Sequence, residues 1–240
     1  MAYPHTIFGW FLELLFPYRC LSCRRYLDRE YICRPCFNRL PIKGQGECVG
    51  CSRPSPDGMT CILCKDGYQL DQLMVVSDFN DPAVAMLIRR MKYGFIRDLV
   101  EPLHRLSRKY LLYRAKKGRS FIQDNPLLVP VPLHIVREQW RGFNQAALLG
   151  ESIAGTYQLE LVHALECTRH KTHQAEILER NRRIENVRGL YQCIDPNLIR
   201  GRKVMLIDDV CTTGATLNEC AAVLKASGAC SVSALVIARG

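Results

Sequence analysis

Asp208 and Asp209 follow an apolar run of Val204, Met205, Leu206 and Ile207, and precede Cys211, Thr212, Thr213, Gly214, Ala215 and Thr216. Four apolar residues in a row are the length of a strand covered on both faces. In an open α/β sheet, ligands gather at the carboxyl ends of such strands. The turn beyond the acids has its own chemistry. The threonines supply hydroxyls, Gly214 lets the backbone come close to a ligand, and the helix predicted next aims unpaired N–H groups into the turn, a combination that binds anions. The two carboxylates repel a phosphate, but they accept hydrogen bonds from vicinal hydroxyls or hold a hydrated divalent cation. A ribose 5-phosphate presents both kinds of group. An ordinary βα turn with acids facing water is the plainer alternative; the contiguity of strand, paired acids, T-T-G-A-T and amphipathic helix speaks against it.

A second chemistry lies at the other end. Eight of the thirteen cysteines form four Cys-x-x-Cys pairs: Cys20 and Cys23, Cys33 and Cys36, Cys48 and Cys51, Cys61 and Cys64. One such knuckle places two thiolates on a tetrahedral ion and a second completes the Cys₄ set, so two structural Zn²⁺ sites are expected, with no open position for catalysis. Residues 20–36 and 48–64 repeat one spacing, which favours sequential pairing of knuckles over a crossed one. Pro, Gly and Arg fill the gaps and large apolar residues are sparse, so metal binding supplies the folding free energy there. No βαβ pattern adjoins these pairs, as a redox role would require. Cys167, Cys193, Cys211, Cys220 and Cys230 have no paired spacing and read as small core residues.

The 240 residues have room for one ordinary domain and a small one, with 48% apolar residues. Ile7 to Phe16 is apolar but short and interrupted by Glu13; it reads as an N-terminal helix packed on the body, not as a signal peptide. No run approaches the ~18 apolar residues of a membrane span, so no stable membrane insertion and a cytoplasmic location are expected.

The elements that must position both sites follow from periodicity. Leu73 to Phe79 suggests a strand; Asp81 caps a helix carrying Val84, Leu87, Ile88 and Met91; Leu99, Leu103, Leu106 and Tyr110 mark another helix. Residues 81–120 hold eleven Lys/Arg against three Asp/Glu, so the net charge of +10 is concentrated there. Such a block can bind nucleic acid through phosphates, with Tyr93, Phe95, Tyr110 and Tyr113 for stacking, or can be the solvated face of two helices. Leu127 to Pro132 reads as a buried strand closed by proline. A helix runs from about Gln145 to Ala154, Leu159 to Leu165 can form a strand, and Leu217, Cys220, Ala221 and Leu224 line a helix that stops near Gly228 before a last strand, Val232 to Ile237.

The Asp208–Thr216 segment resembles the phosphoribosyl pyrophosphate (PRPP) loop of type I phosphoribosyltransferases. The segment VPVPLHIVREQWRGFNQ resembles their pyrophosphate loop region in its ComF form, and Lys92 and Tyr93 in RRMKYGF resemble a Lys-Tyr pair of that branch. With the knuckles, three motifs in order cover nearly the whole chain, so the sequence is identified as resembling the ComF family. That resemblance implies an α/β type I phosphoribosyltransferase fold, a mostly parallel Rossmann-like sheet, over residues 71–240, with residues 71–120 as a basic helical hood or linker. Residues 1–70 would carry the N-terminal helix and a double zinc ribbon. It further implies that Asp208 and Asp209 contact ribose hydroxyls, and that Thr212, Thr213, Gly214, Ala215 and Thr216 cradle the 5-phosphate, with Mg²⁺ on the diphosphate. Arg137, Arg141, Arg169 and Lys171 are the diphosphate or flexible-loop contacts it suggests. Residues 167–191 correspond to the family's mobile loop; Arg169, Thr172, Gln174, Arg182, Asn186 and Arg188 fit its pattern, and His170 and His173 are acid/base candidates that read more plainly as solvated loop histidines. Two functions are compatible: a PRPP-binding phosphoribosyltransferase-like protein of DNA uptake, or a non-catalytic adaptor that binds single-stranded DNA or competence proteins through the ribbons and the basic block.

Overall fold

Successive strand residues enter two different cores, and that fixes the layers. In chain order the elements of the computed structural model, which describes residues 18–168 and 189–240, are α1 (Arg34–Arg39), β1 (Gln72–Asp78), α2 (Pro82–Tyr93), α3 (Val100–Lys116), β2 (Leu127–Pro130), α4 (Ile135–Arg141), α5 (Gln145–Tyr157), β3 (Leu165–Cys167), β4 (Tyr191–Cys193), β5 (Lys203–Cys211), α6 (Ala215–Ala226) and β6 (Ser231–Arg239). Strands β1, β6, β5 and β2 lie in that order, all parallel. Met74, Val76, Leu128, Met205, Ile207, Leu235 and Ile237 enter one core with residues of α2, α3 and α5. Their neighbours Leu73, Val75, Leu127, Val129, Val204, Leu206, Ala234 and Val236 enter a second core with Leu217, Ala221 and Leu224 of α6. A sheet covered on both faces needs continuous apolar strands, which is why these read as unbroken runs.

The two helices nearest the acids leave their strands in opposite directions. α5, which follows β2, contributes to the first core and α6, which follows β5, to the second. Adjacent parallel strands whose connections depart to opposite faces leave a crevice at their carboxyl ends. Local capping secures the geometry. The Asp81 carboxylate accepts from the N–H groups of Ala83 and Val84 at 3.0 and 2.9 Å, ahead of Pro82 in the first turn of α2. Asn144 caps α5 through Ala146 N–H at 2.9 Å and donates to the Val131 carbonyl at 3.0 Å, which ties that helix to the end of β2.

The cysteine repeat is also a repeat in space. Cys20 N–H donates to the Arg25 carbonyl at 2.8 Å and Cys48 N–H to that of Arg53 at 2.9 Å. Arg24 and Ser52, at matching places, both take positive φ, 64° and 61°. Cys33 N–H points at the Cys20 sulfur and Cys61 N–H at the Cys48 sulfur, each at 3.4 Å. The ligand atoms of Cys20, Cys23, Cys33 and Cys36 lie within 4.8 Å of one another, as do those of Cys48, Cys51, Cys61 and Cys64. Pairing is therefore sequential. Burial opposes ionisation of Cys48, but the N–H groups of Cys51, Cys61 and Gly50 outweigh it and bring the thiol down to about 6. Burial and the neighbouring thiols Cys61, Cys48 and Cys51 hold Cys64 up at about 12. Four such thiols ionise together only around a cation, and a closed Cys₄ set suits structural zinc.

Several expectations need correction. The apolar run Leu159 to Leu165 makes only a single bridge, Leu161 with Leu128, before the three-residue β3, which pairs antiparallel with β4. The last-but-one sheet strand does not stop before the acids; β5 carries them and ends at Cys211. Helix α4 lies between the end of β2 and α5; it is seven residues long and buries none of them, its apolar Ile135, Val136 and Trp140 included. The expected helix over Ile7 to Phe16 lies outside the described residues.

The basic block is partly turned inward. Arg105 stacks over Phe37 at 4.2 Å, Lys109 donates to the Leu40 carbonyl at 2.7 Å, and Arg119 and Arg114 approach Asp57 at 2.7 and 3.8 Å. Both ribbons are thus held by α3 and its C-terminal end. Arg89, Arg90, Arg97 and Arg108 remain exposed. No described helix is long and apolar enough to cross a membrane. Metal analysis of the purified chain is expected to give two zinc ions per chain, and Cys20→Ser or Cys48→Ser is expected to lose one each. Loss of both ions in either single variant would contradict two separate sites.

Candidate functional site

The crevice between β2 and β5 is a cleft of about 250 Å³. The end of β2 lines it through Val131, Pro132 and Leu133; β5 supplies Asp208, Asp209 and Val210; α4 and α5 supply Arg137, Arg141 and Gln145; α2 supplies Lys92 and Tyr93; Thr216 closes one side. Asp208, Asp209, Arg137, Arg141 and Thr216 are therefore brought together in one cleft. Thr212, Thr213, Gly214 and Ala215 are not among the lining residues, although the Thr213 hydroxyl accepts from Ala215 N–H at 3.3 Å at the start of α6. Arg169 and Lys171, with His170, His173 and the rest of that loop pattern, lie outside the described residues.

Electrostatics set the character of the cleft. Lys92 Nζ stands 2.8 Å from Asp209 Oδ1, an ion pair that joins the basic α2 to the acidic strand end. The sequence had singled out Lys92 without a partner for it. Asp208 accepts from the Asp209 N–H at 2.8 Å. Burial pushes its carboxyl up to about 7, the adjacent Asp209 adds to the rise, and Lys92 offsets part of it. Burial also lowers the Arg141 guanidinium from its ordinary value, against the attraction of Asp209; arginine stays charged regardless. Arg141 donates to the Gln145 side-chain oxygen at 2.7 Å and lies 5.9 Å from the Tyr93 ring centroid. The Tyr191 hydroxyl is pushed upward by burial and hydrogen-bonds with Thr216.

Three buried polar atoms of cleft residues have no hydrogen-bond partner among the described residues: Asp209 Oδ2, Arg141 Nε and Gln145 Nε2. Buried polar groups are almost always paired, so an acceptor and two donors left over in one cleft suit a ligand that carries both hydroxyls and anionic oxygens. Two adjacent carboxylates, one with a free oxygen, also suit a hydrated divalent cation. Outside the cleft, Phe95 and Trp140 pack edge to face with centroids 4.9 Å apart, and Trp140 is 60% exposed.

A parallel sheet with a charged cleft at its switch point, joined to two Cys₄ ribbons, defines the class: residues 127–240 match the phosphoribosyl transferase domain family, and residues 11–65 match the double zinc ribbon domain family. The chain therefore carries both units, a double zinc ribbon followed by a phosphoribosyl transferase domain, and it is similar over most of its length to competence and DNA utilization proteins. It is 28% identical over 230 residues to Competence protein F of Haemophilus influenzae, covering 93% of this chain and 98% of that one. Competence protein ComFC of Bacillus subtilis is 28% identical, covering 88% and 85%. DNA utilization protein YhgH of Escherichia coli K12 is 26% identical, covering 94% and 99%. A solved allosteric regulatory enzyme of purine biosynthesis overlaps 46% of this chain and 21% of its own at 18% identity and a TM-score of 0.31, too slight a likeness to add to the assignment.

Asp208 makes a pH-dependent stability signature. In the unfolded chain its carboxyl ionises near the usual carboxylate value, about 4, whereas in the fold it keeps its proton to about 7. Its contribution is harmless below the lower value, becomes destabilising as pH rises between the two, and stays so above them. Asp208→Asn keeps an oxygen for the Asp209 N–H but removes the charge. Urea midpoints compared with the wild type at each pH are expected to show a gain that grows from pH 5 to 8 and reaches a few kcal/mol, because each tenfold change in proton affinity is worth ~1.4 kcal/mol. A gain independent of pH would contradict it.

Proposed function

We propose that the cleft binds PRPP with Mg²⁺ and that the protein is a phosphoribosyltransferase-like component of DNA uptake in natural transformation, as the names of its relatives suggest. The observation that carries the reading is the set of unpartnered polar atoms around paired acids at the switch point. On this reading Asp208 and Asp209 accept hydrogen bonds from the ribose hydroxyls, and the turn Thr212–Thr216 with the first N–H groups of α6 takes the 5-phosphate. Arg137 and Arg141 face the diphosphate, with Arg169 and Lys171 as further contacts. Mg²⁺ bound with PRPP would neutralise charge on the diphosphate and so make it a better leaving group. The chain's own residues orient the sugar and hold positive charge where negative charge gathers as the bond to diphosphate breaks, so positioning and electrostatics carry any catalysis. Tyr93, Phe95 and Trp140 offer flat apolar surface beside Arg141 for a ring-bearing acceptor.

A second reading is favoured by one observation, the exposed Phe95–Trp140 pair, whose Phe95 lies in the sequence between the exposed Arg89 and Arg90 and the exposed Arg97. It makes this edge a surface for single-stranded DNA, with bases on the rings and phosphates on the arginines. The two readings separate by titration. Calorimetry with PRPP and Mg²⁺ is expected to give one saturable site that weakens about ten-fold or more in Asp208→Asn/Asp209→Asn, the loss expected for charge-assisted hydrogen bonds. A diphosphate-release assay across candidate acceptors then tests for transfer. Absence of PRPP binding, together with salt-sensitive oligothymidylate binding lost in Trp140→Ala, would replace the first reading with the second.

A further inference from the structure

The two ribbons are not equivalent in what they touch. The first sits against α3, through Phe37 under Arg105 and through the Leu40 carbonyl with Lys109. The second sits against the turn that starts α6. Val49, next to the metal ligand Cys48, is fully buried and belongs to the core that contains Cys211, Leu217 and Leu206. Gly214, the residue before α6, has φ of 79°, and a Cβ placed on it would lie 2.6 Å from Val49 Cγ2. Positive φ alone favours glycine, and here close approach demands it as well. The buried Arg239 donates to the carbonyls of Cys48 and Val49 at 2.9 and 2.8 Å. In the sheet, Arg239 is the register partner of Cys211, and Gly240 N–H donates to the Cys211 carbonyl at 3.1 Å. Past the ribbon the chain is pinned again, with Gln69 N–H on Asn218 Oδ1 at 2.5 Å and Asp71 on Lys225 at 2.6 Å, both on α6.

We propose that the second zinc ribbon is the template for the 211–216 turn: Val49 and Arg239 are positioning residues that pass the geometry of the Cys48, Cys51, Cys61 and Cys64 site to the turn, while the first ribbon has no such role. Cys48 is fixed by the ion, its neighbour Val49 fills the space left by the Cβ that Gly214 lacks, and Arg239 clamps the backbone between them to the strand end. A turn whose N–H groups must converge on an anion needs such outside support, because the helix start has no side-chain cap at Gly214. This inference rests on the PRPP reading only for its consequence on affinity; the mechanical coupling stands apart from it.

The test is amide hydrogen exchange of peptides covering residues 211–217 in the full zinc-loaded chain, with zinc counted for every variant. Val49→Ala is expected to speed exchange there about three-fold or more while retaining two zinc ions, and Phe37→Leu beside the first site is expected to leave it unchanged. Cys64→Ser is expected to loosen the turn and Cys36→Ser to spare it. Gly214→Ala is expected to speed exchange, and adding Val49→Ala to it is expected to slow exchange again, since the smaller side chain makes room for the new methyl. A general loss of stability would instead add in the double variant. Mg²⁺–PRPP affinity is expected to weaken wherever exchange rises. Unchanged exchange in Val49→Ala, an equal response to Phe37→Leu, or additivity in the double variant overturns the proposal. Wild-type protein that shows the exchange pattern but does not bind PRPP upholds the coupling and rejects the PRPP reading.

Discussion

Two adjacent carboxylates held at the end of a covered strand create a debt of positive charge, and much of the molecule is arranged around it. Asp208 resists ionisation to about 7 for lack of water, and Asp209 remains within 2.8 Å of a lysine brought in from another helix. Lys92 reaches the acids because α2 is seated by the Asp81 cap and by Leu87, Ile88 and Met91 in the first core. Arg141 reaches the same cleft because Asn144 fastens the start of α5 to the end of β2. The arrangement still leaves Asp209 Oδ2 without a partner among the described residues, and a hydroxyl-bearing or cation-bearing ligand would satisfy it.

The ribbons and the basic block take on meaning from the same fold. Sequence charge suggested a polyanion surface, yet Arg105, Lys109, Arg114 and Arg119 hold the ribbons in place, so a good part of the positive charge is internal adhesive. Arg89, Arg90, Arg97 and Arg108 stay exposed, as do the aromatic rings of Phe95 and Trp140. Each Cys₄ set is closed, and the residue after Cys48, Val49, meets Gly214 at the turn that opens α6.

The sheet was legible because each of its strands is either a continuous apolar run or a nearly continuous one, and the helices because Asp81 and the stripes at Val84 to Met91 and Leu217 to Leu224 are strong local signals. The cysteine spacing gave both metal sites and their sequential pairing, since a knuckle is a local object that repeats. Contacts between distant segments were beyond reach: nothing near Lys92 points to Asp209, and nothing near Gly214 points to Val49. For Gly214 the local reading was incomplete in a specific way. It explained the glycine by approach to a ligand, whereas the nearest atom to its missing Cβ belongs to the second ribbon. Helix α4 escaped notice because it is only seven residues long and its apolar residues, Ile135, Val136 and Trp140, are exposed and mark no core face.

The most direct test of the account is a crystal structure of the full chain with Mg²⁺ and PRPP. The account predicts ribose hydroxyls within hydrogen-bond distance of Asp208 and Asp209, the 5-phosphate against the N–H groups that open α6, and the diphosphate facing Arg137 and Arg141, with Val49 still seated on Gly214. Density for the ligand away from the β2–β5 crevice, or a phosphate that does not touch the 212–216 turn, would contradict it.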